Sequence, residues 1–352
     1  MKLKEQDFIN TYRDISYPDK IDLSASAPSN IALVKYWGKH GMQLPMNPSV
    51  SFTLNQSRTN TTAHLSLLKL PSKTVEFQFF LDQKPRPDFE PKIAGFFEKI
   101  KVYAPFITAF HWQIYSQNTF PHSSGIASSA SAFAALAKMI VDLEKQLFPS
   151  HKDDNYYKKK ASFLARLGSG SASRSIAHPV MIWGKHPGIP DTSDLYAVVP
   201  DFELHPVFKN FRDSIILVEK GQKKVSSTAG HNLMAKHPFK AIRKQQAFLH
   251  ALQMTQYLKS GDLDNFIKLT EAEALSLHAL MMTSDPNYIL IQPGTLKVIQ
   301  LIRHLRQTLN LPVCFTLDAG ANVHVLYPDK ISDNLEKYLF SKLTYEIIHD
   351  YI

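Results

Sequence analysis

The stretch that most constrains this chain is PHSSGIASSASAFAAL, at residues 121–136. Small polar residues and a glycine run straight into Ala-rich sequence whose helix propensity continues to about Gln146. Gly125 and its small neighbours allow close backbone approach, and Ser128 and Ser129 place hydroxyls near the helix start. The first N–H groups of a helix lack partners and carry partial positive charge, so such an end takes an anion readily. No Gly-Lys-Ser/Thr follows, which rules out a Walker A loop. On this stretch alone two readings stand level: a phosphate-cradling loop of another kind, or a capped and tightly packed core helix.

The surrounding segments point to mixed structure. Residues 1–22 read as a polar strand or arm leading in, and 24–34 as strand, proline turn, strand. Residues 40–48, with Gly41, Pro45 and Pro48, read as a loop, and strands are expected over 50–54, 61–68, 74–81 and 111–116. Helices are expected over 93–103, 156–167, 241–258, 263–282, 295–309 and 332–343. A hairpin is expected over 179–199, and further strands over 214–219, 313–317 and 322–327. Strands mixed with blocks of helix indicate α+β rather than regular βαβ alternation. Residues 201–210 are the best candidate boundary between two domains.

Composition narrows the class. A chain of 352 residues suits two modest domains or one large one, and 44% hydrophobic with 20% charged residues fits a globular protein. No run approaches the roughly 18 apolar residues of a membrane span. The first residues, MKLKEQDFINTYRD, have no apolar core, so no secretory signal is expected. Cys314 is the single cysteine, which excludes an internal disulfide framework, argues against a Cys-built metal site and makes the cytoplasm the expected setting. The net charge of +9 is spread along the chain. Its densest run, Lys158-Lys159-Lys160, reads as an exposed helix face. No RNA-binding aromatic motif or helix-turn-helix accompanies it, so an anionic small molecule is the expected partner rather than nucleic acid or membrane.

Four further segments could carry chemistry. KYWGK puts Lys35 and Lys39 four residues apart around packed aromatics. GSGSASRS offers Ser169, Ser171 and Arg174, and a guanidinium can grip phosphate or carboxylate oxygens in a two-pronged way. KKVSSTAGH brings hydroxyls at Ser226, Ser227 and Thr228. TLDAGANVH sets Asp318 between two apolar runs beside Gly320, where a carboxylate can serve as a general base. Each segment alone is also readable as an ordinary loop, surface pair or turn. No H-E-x-x-H spacing or G-x-S-x-G elbow is present.

In this order, SAPSNIALVKYWGK, PHSSGIASSASAFAALA, GSGSASRSI, VSSTAGH and FTLDAGANVHVLYP together closely resemble the diphosphomevalonate decarboxylase family of the GHMP kinase superfamily. KYWGK with GSGSASRS is specific to the decarboxylase branch. The resemblance implies a GHMP-kinase-like α+β fold with two domains, 1–205 and 206–352, and the active site in the cleft between them. It implies that ATP, with Mg²⁺, phosphorylates the tertiary hydroxyl of mevalonate 5-diphosphate. Phosphate and CO2 then leave to give isopentenyl diphosphate and ADP. It assigns catalytic roles to Asp318, Arg174 and Lys35, and substrate contacts to Tyr36, Lys39, Ser169, Ser171, Arg174 and Ser227. It assigns the ATP phosphates to Gly125, Ala127, Ser128, Ser129 and Ser131, and implies a homodimer. The alternatives are a mevalonate 5-phosphate decarboxylase, a mevalonate 3-kinase, or a catalytically silent nucleotide-binding protein. The loop after WGK is unusually neutral, His231 stands where many relatives have methionine, and Ala321 where proline is common.

Overall fold

A computed structural model describes residues 2–10, 12, 16–70, 72–121, 126–149, 152–177, 179–221 and 227–352, with the backbone alone at Ser227 and Thr228. The chain enters through a short turn of 3-10 helix, Glu5–Phe8. It forms β1 (Lys20–Val34), a small hairpin of β2 (Lys39–His40) and β3 (Leu44–Pro45), β4 (Ser49–Leu67), β5 (Glu76–Leu81) and β6 (Lys84–Pro85). Next come α1 (Glu90–Ile100), β7 (Phe110–Asn118), α2 (Ser128–Leu147), α3 (Asp154–Gly168) and β8 (Val180–Trp183). The second half holds β9 (Arg212–Leu217), α4 (Ser227–Leu233), α5 (Lys240–Ser260), α6 (Leu263–Met282) and α7 (Pro293–Leu309). It ends with β10 (Cys314–Thr316), β11 (Val323–Tyr327), α8 (Ser332–Tyr338) and β12 (Glu346–Tyr351).

The first sheet runs β1-β4-β7-β5-β6, with β8 paired to β4. Its pairs are antiparallel except β5 with β7. The second sheet, β10-β11-β9-β12, is antiparallel throughout. The fold is thus the α+β class expected. None of the helices among the described residues is long and apolar enough to cross a membrane.

Several local expectations are corrected. Residues 24–34 do not turn at Pro28: β1 is continuous, with a register shift between Pro28 and Asn30. It pairs only with β4 and so has an open edge, where a residue lacking N–H costs no ladder bond. Residues 50–54 and 61–68 belong to one long strand, β4. The segment 227–233, read as loop, is α4, and the last helix stops at Tyr338 before a 3-10 turn, Phe340–Lys342. Lys160 does not share the exposure of Lys158. It points inward from α3, and its ammonium meets the buried Glu144 carboxylate at 2.7 Å and the Tyr12 hydroxyl at 3.2 Å. Consecutive helix residues are rotated by about 100°, so three lysines in a row cannot all face water.

Helix α2 lies against β1 and β4 with Ala130, Ala134 and Ala137 fully buried, so its backbone comes close to the sheet. The tightly packed core helix is therefore real. Yet Ala127 occupies its N-cap, and no described side chain caps it. Of its first-turn N–H groups, those of Ser128 and Ala130 donate to the Ile126 and Ala127 carbonyls, which leaves the Ser129 N–H without a partner among the described residues and available to an outside acceptor.

Candidate active site

Strand β1 ends at Val34, and Lys35 follows as the chain leaves the sheet. Its side chain is 2% exposed, and its amine reaches the Asp318 carboxylate at 3.1 Å. Asp318 sits just beyond β10, so the pair joins residues from the two sheets. Burial lowers the Lys35 pKa, while the charge and hydrogen bond of Asp318 oppose that shift. The Asp318 carbonyl lies 3.1 Å from His278 Nε2 on α6.

Arg174 closes the short 3-10 helix Gly170–Arg174 and is buried. It donates to the Ser49 hydroxyl at 2.8 Å, while its Nε has no hydrogen-bond partner among the described residues. Burial pulls its pKa down to about 10, and the charge of Asp318 pulls the other way. A buried guanidinium with a donor to spare, set beside a lysine–aspartate pair, is built to receive an anion.

Tyr36 and Trp37 complete the wall. The Tyr36 ring packs on Trp183 with centroids 4.7 Å apart and on His231 at 4.2 Å, and Trp37 packs on His231 at 4.7 Å. The Tyr36 hydroxyl presses on Gly170, where any Cβ would come within 2.7 Å of it. Gly38 has φ +90, and a Cβ there would lie 2.5 Å from Met46 Sδ. Only glycine suits that turn. Three separate motifs, KYWGK, GSGSASRS and AGH, thus converge around one tyrosine ring.

Ser169 and Ser171 stand beside each other, with hydroxyls 3.4 Å apart, and the Ser171 carbonyl accepts from Asn30 at 3.2 Å. Lys39, half-buried, bonds to Gln43 across its own hairpin at 2.9 Å. It has no carboxylate partner among the described residues.

At the start of α2, Ser128 and Ser129 line an open cleft with Ser116, Asn118, Lys92 and Phe133. Phe79, Phe89 and Leu136 make its walls mainly apolar. A flat, weakly polar ring fits such walls, with charged groups left at the serine end. Ser131 lies outside this lining. Its buried hydroxyl is 2.6 Å from that of Thr59 on β4 and donates to the Ser128 carbonyl, so it anchors the helix to the sheet. Gly125 and Ser226 fall outside the described residues, as does the side chain of Ser227.

Behind Lys35 lies a set of buried polar residues that no sequence motif marks. Glu273 on α6 accepts the Lys35 backbone N–H at 2.8 Å, and Arg243 on α5 donates to the Lys35 carbonyl at 3.1 Å. His250 also contacts Glu273. Residues 241–258 and 263–282 read as helices, but nothing in that reading flags which polar residue turns inward.

Two family models match the chain: the diphosphomevalonate decarboxylase-like N-terminal domain over residues 27–194, and the mevalonate 5-diphosphate decarboxylase C-terminal domain over 214–349. Among similar curated proteins, the diphosphomevalonate decarboxylase of Candida albicans is 29% identical over 334 residues, covering 90% of this chain and 87% of that protein. The mevalonate diphosphate decarboxylase structure from Staphylococcus aureus aligns with a TM-score of 0.80 at 28% identity, covering 95% of this chain and 96% of that one. A structure solved in complex with MVAPP, AMPPCP and magnesium aligns with a TM-score of 0.80 at 29% identity, over 94% and 97% of the two chains. With the two family models together spanning most of it and these folds aligned over nine tenths or more of it, the chain belongs to the diphosphomevalonate decarboxylase family.

Proposed function

We propose that this chain catalyses the ATP-dependent decarboxylation of mevalonate 5-diphosphate to isopentenyl diphosphate, releasing ADP, phosphate and CO2. The observation that carries the reading is the Lys35–Asp318 pair at 3.1 Å, with buried Arg174 in its field. Phosphoryl transfer asks chiefly for positioning and charge neutralisation. Asp318 accepts the proton of the tertiary hydroxyl, and Lys35 holds that carboxylate in place. Arg174 takes the substrate carboxylate, which is then lost as CO2 while the new phosphate leaves. Tyr36, Lys39, Ser169, Ser171 and Ser227 bind the substrate's own phosphates.

The cleft at the start of α2 takes the nucleotide, its base against the apolar walls and its phosphates at Ala127, Ser128 and Ser129. Gly125 belongs to the same loop, and Ser131 supports it from behind. Magnesium fits a site of hydroxyls and phosphate oxygens, since it is bound with few protein ligands and retains water. Ser128 and Ser129 are the hydroxyls here that would hold it, and when bound it would neutralise the phosphate charge. The neighbour solved with MVAPP, AMPPCP and magnesium supports this reading.

The division into domains 1–205 and 206–352 is part of the same proposal, supported by one sheet in each part. So are a homodimer and a cytoplasmic setting, the latter resting on the single, buried and unpaired Cys314.

Incubation with ATP, magnesium and each of mevalonate, its 5-phosphate and its 5-diphosphate tests the reaction. ADP and CO2 in equal amounts from the 5-diphosphate are expected; ADP without CO2 overturns decarboxylation. Asp318→Ala should keep nucleotide binding and lose kcat by about 10²–10⁴, the range for a general base. A near-normal kcat removes the role given to Asp318.

A further inference from the structure

Lys35 has an unusual backbone environment. Its N–H and C=O lie just beyond the β1 ladder, in the interior, and both must find partners there. They find side chains. The N–H donates to Glu273 Oε2 at 2.8 Å, and the C=O accepts from Arg243 Nη2 at 3.1 Å and from Asn47 Nδ2 at 3.0 Å. Arg243 also grips Glu273 with both terminal nitrogens, each at 2.7 Å, and His250 Nδ1 lies 2.5 Å from the other carboxylate oxygen. Glu273 is completely buried.

Such a cluster is costly. Burial pushes the Glu273 carboxyl up, and only Arg243, His250 and the Lys35 N–H bring it down again, to about 2. Well-packed apolar residues would hold α5 against α6 at least as firmly, so packing alone does not account for a buried ion pair. What Glu273 and Arg243 do that apolar residues could not is fix both faces of one peptide segment, the one that aims an amine at Asp318.

We propose that Glu273 and Arg243 are positioning residues for Lys35, clamping its backbone so that Nζ stays against the Asp318 carboxylate. The cluster touches no reacting atom and acts only through Lys35. This inference rests on the reaction proposed above. It adds a third element to the site: helices α5 and α6, whose residues set the register between strand β1 and the segment after β10.

A double-mutant cycle tests the coupling. Glu273→Gln keeps an acceptor for the Lys35 N–H but loses the charge that orders Arg243. It should lower kcat by about tenfold or more while KM for ATP and for the 5-diphosphate changes by less than about threefold. In a Lys35→Met background the same substitution should change kcat by less than about twofold, because the group it acts through is gone. Equal losses in both backgrounds, or a change confined to KM, overturn the proposal.

Arg243→Lys, which retains the charge opposite Glu273 but not the two-pronged grip, goes through the same cycle should Glu273→Gln fail to fold. A crystal structure of either variant gives a readout that needs no turnover. Nζ should move out of hydrogen-bond range of Oδ1, and an unmoved amine overturns the clamp. Failure of the reaction itself looks different: the unsubstituted chain would release CO2 from none of the three mevalonate forms.

Discussion

His231 shows how one side chain can be held in a single protonation state. The Gly38 N–H donates into its Nδ1 at 2.9 Å, so Nδ1 is the acceptor and Nε2 keeps the proton. Burial, then the charges of Lys39 and Arg174, lower its pKa to about 3. His278 is lowered to about 4, chiefly by burial and by Lys35, against the pull of Asp318. Both values lie below the ordinary 6.5 of an unfolded chain, so beneath that pH the unfolded state binds more protons. The stability they confer is complete above about pH 6.5 and drains away as pH falls toward 4 and 3. The melting temperature should therefore drop between pH 7 and pH 5. His231→Gln, which keeps an acceptor for Gly38 and cannot titrate, should shrink that drop; an unchanged slope would remove His231 from the account. At this scale the sequence was informative where residues sit in contiguous loops. Lys35, Arg174 and Asp318 each lie in a small-residue or strand-end motif, and the structure places Lys35 against Asp318 with Arg174 in their field. Glu273 and Arg243 lie on helices, up to 238 residues from the lysine they contact, with His250 reaching it only through Glu273, and no local pattern reports such contacts.

Among the elements, β12 has a function beyond closing the second sheet. Asp350 near its end accepts three backbone N–H groups from β4 in the first sheet: Asn55 at 2.9 Å, Gln56 at 2.8 Å and Ser57 at 2.6 Å. Hydrogen bonds to a carboxylate are among the stronger kind. Asp350→Ala should cost about 3 kcal/mol, and Asp350→Asn, which keeps some acceptor capacity, about half as much. Chemical denaturation measures both, and a loss under about 0.5 kcal/mol for the alanine variant would show the latch to be idle. The same contact explains why β4 was misread as two strands. Its middle, NQSRTN at residues 55–60, lacks apolar alternation, and there β4 bulges: its pairing with β1 jumps from Pro28–Arg58 to Asn30–Thr53, and a carboxylate from the far end of the chain takes the N–H groups the bulge releases. Long helices such as α2 and α6 were legible because burial imposes a period that needs no knowledge of the partner. Strand β1 was not, because the cost of a proline depends on whether the strand lies at an edge, which sequence does not state. Helix α4 and strand β12 were missed for a related reason: short elements carry too few residues to show a period.

At the scale of the whole molecule, one face of the second sheet joins the core of the first, while its other face packs a separate apolar cluster with α7 and α8. Phe52 of β4 packs with Phe208, Phe211 and Phe266 at centroid distances of 6.4, 6.1 and 5.9 Å. These rings belong to the first sheet, to the connection leading into β9 and to α6, so that connection packs into the core on its way to the second sheet. The continuous apolar cluster extends from Phe8 and β1 through α2 and across to Met254, Cys314 and Leu326. The site follows the same logic, since Lys35 and Asp318 arrive from opposite sheets and would separate if the halves moved independently. Unfolding should therefore be a single cooperative transition, with calorimetric and van't Hoff enthalpies in agreement, although the chain exceeds the usual two-state size. A nucleotide that binds only the folded chain should raise that one transition as a unit, by about 2.7 kcal/mol at a hundred times its dissociation constant. Two resolved transitions, of which the nucleotide shifts only one, would show that the halves are energetically separate. The Lys35–Asp318 geometry would then depend on ligand-driven docking rather than on the shared core.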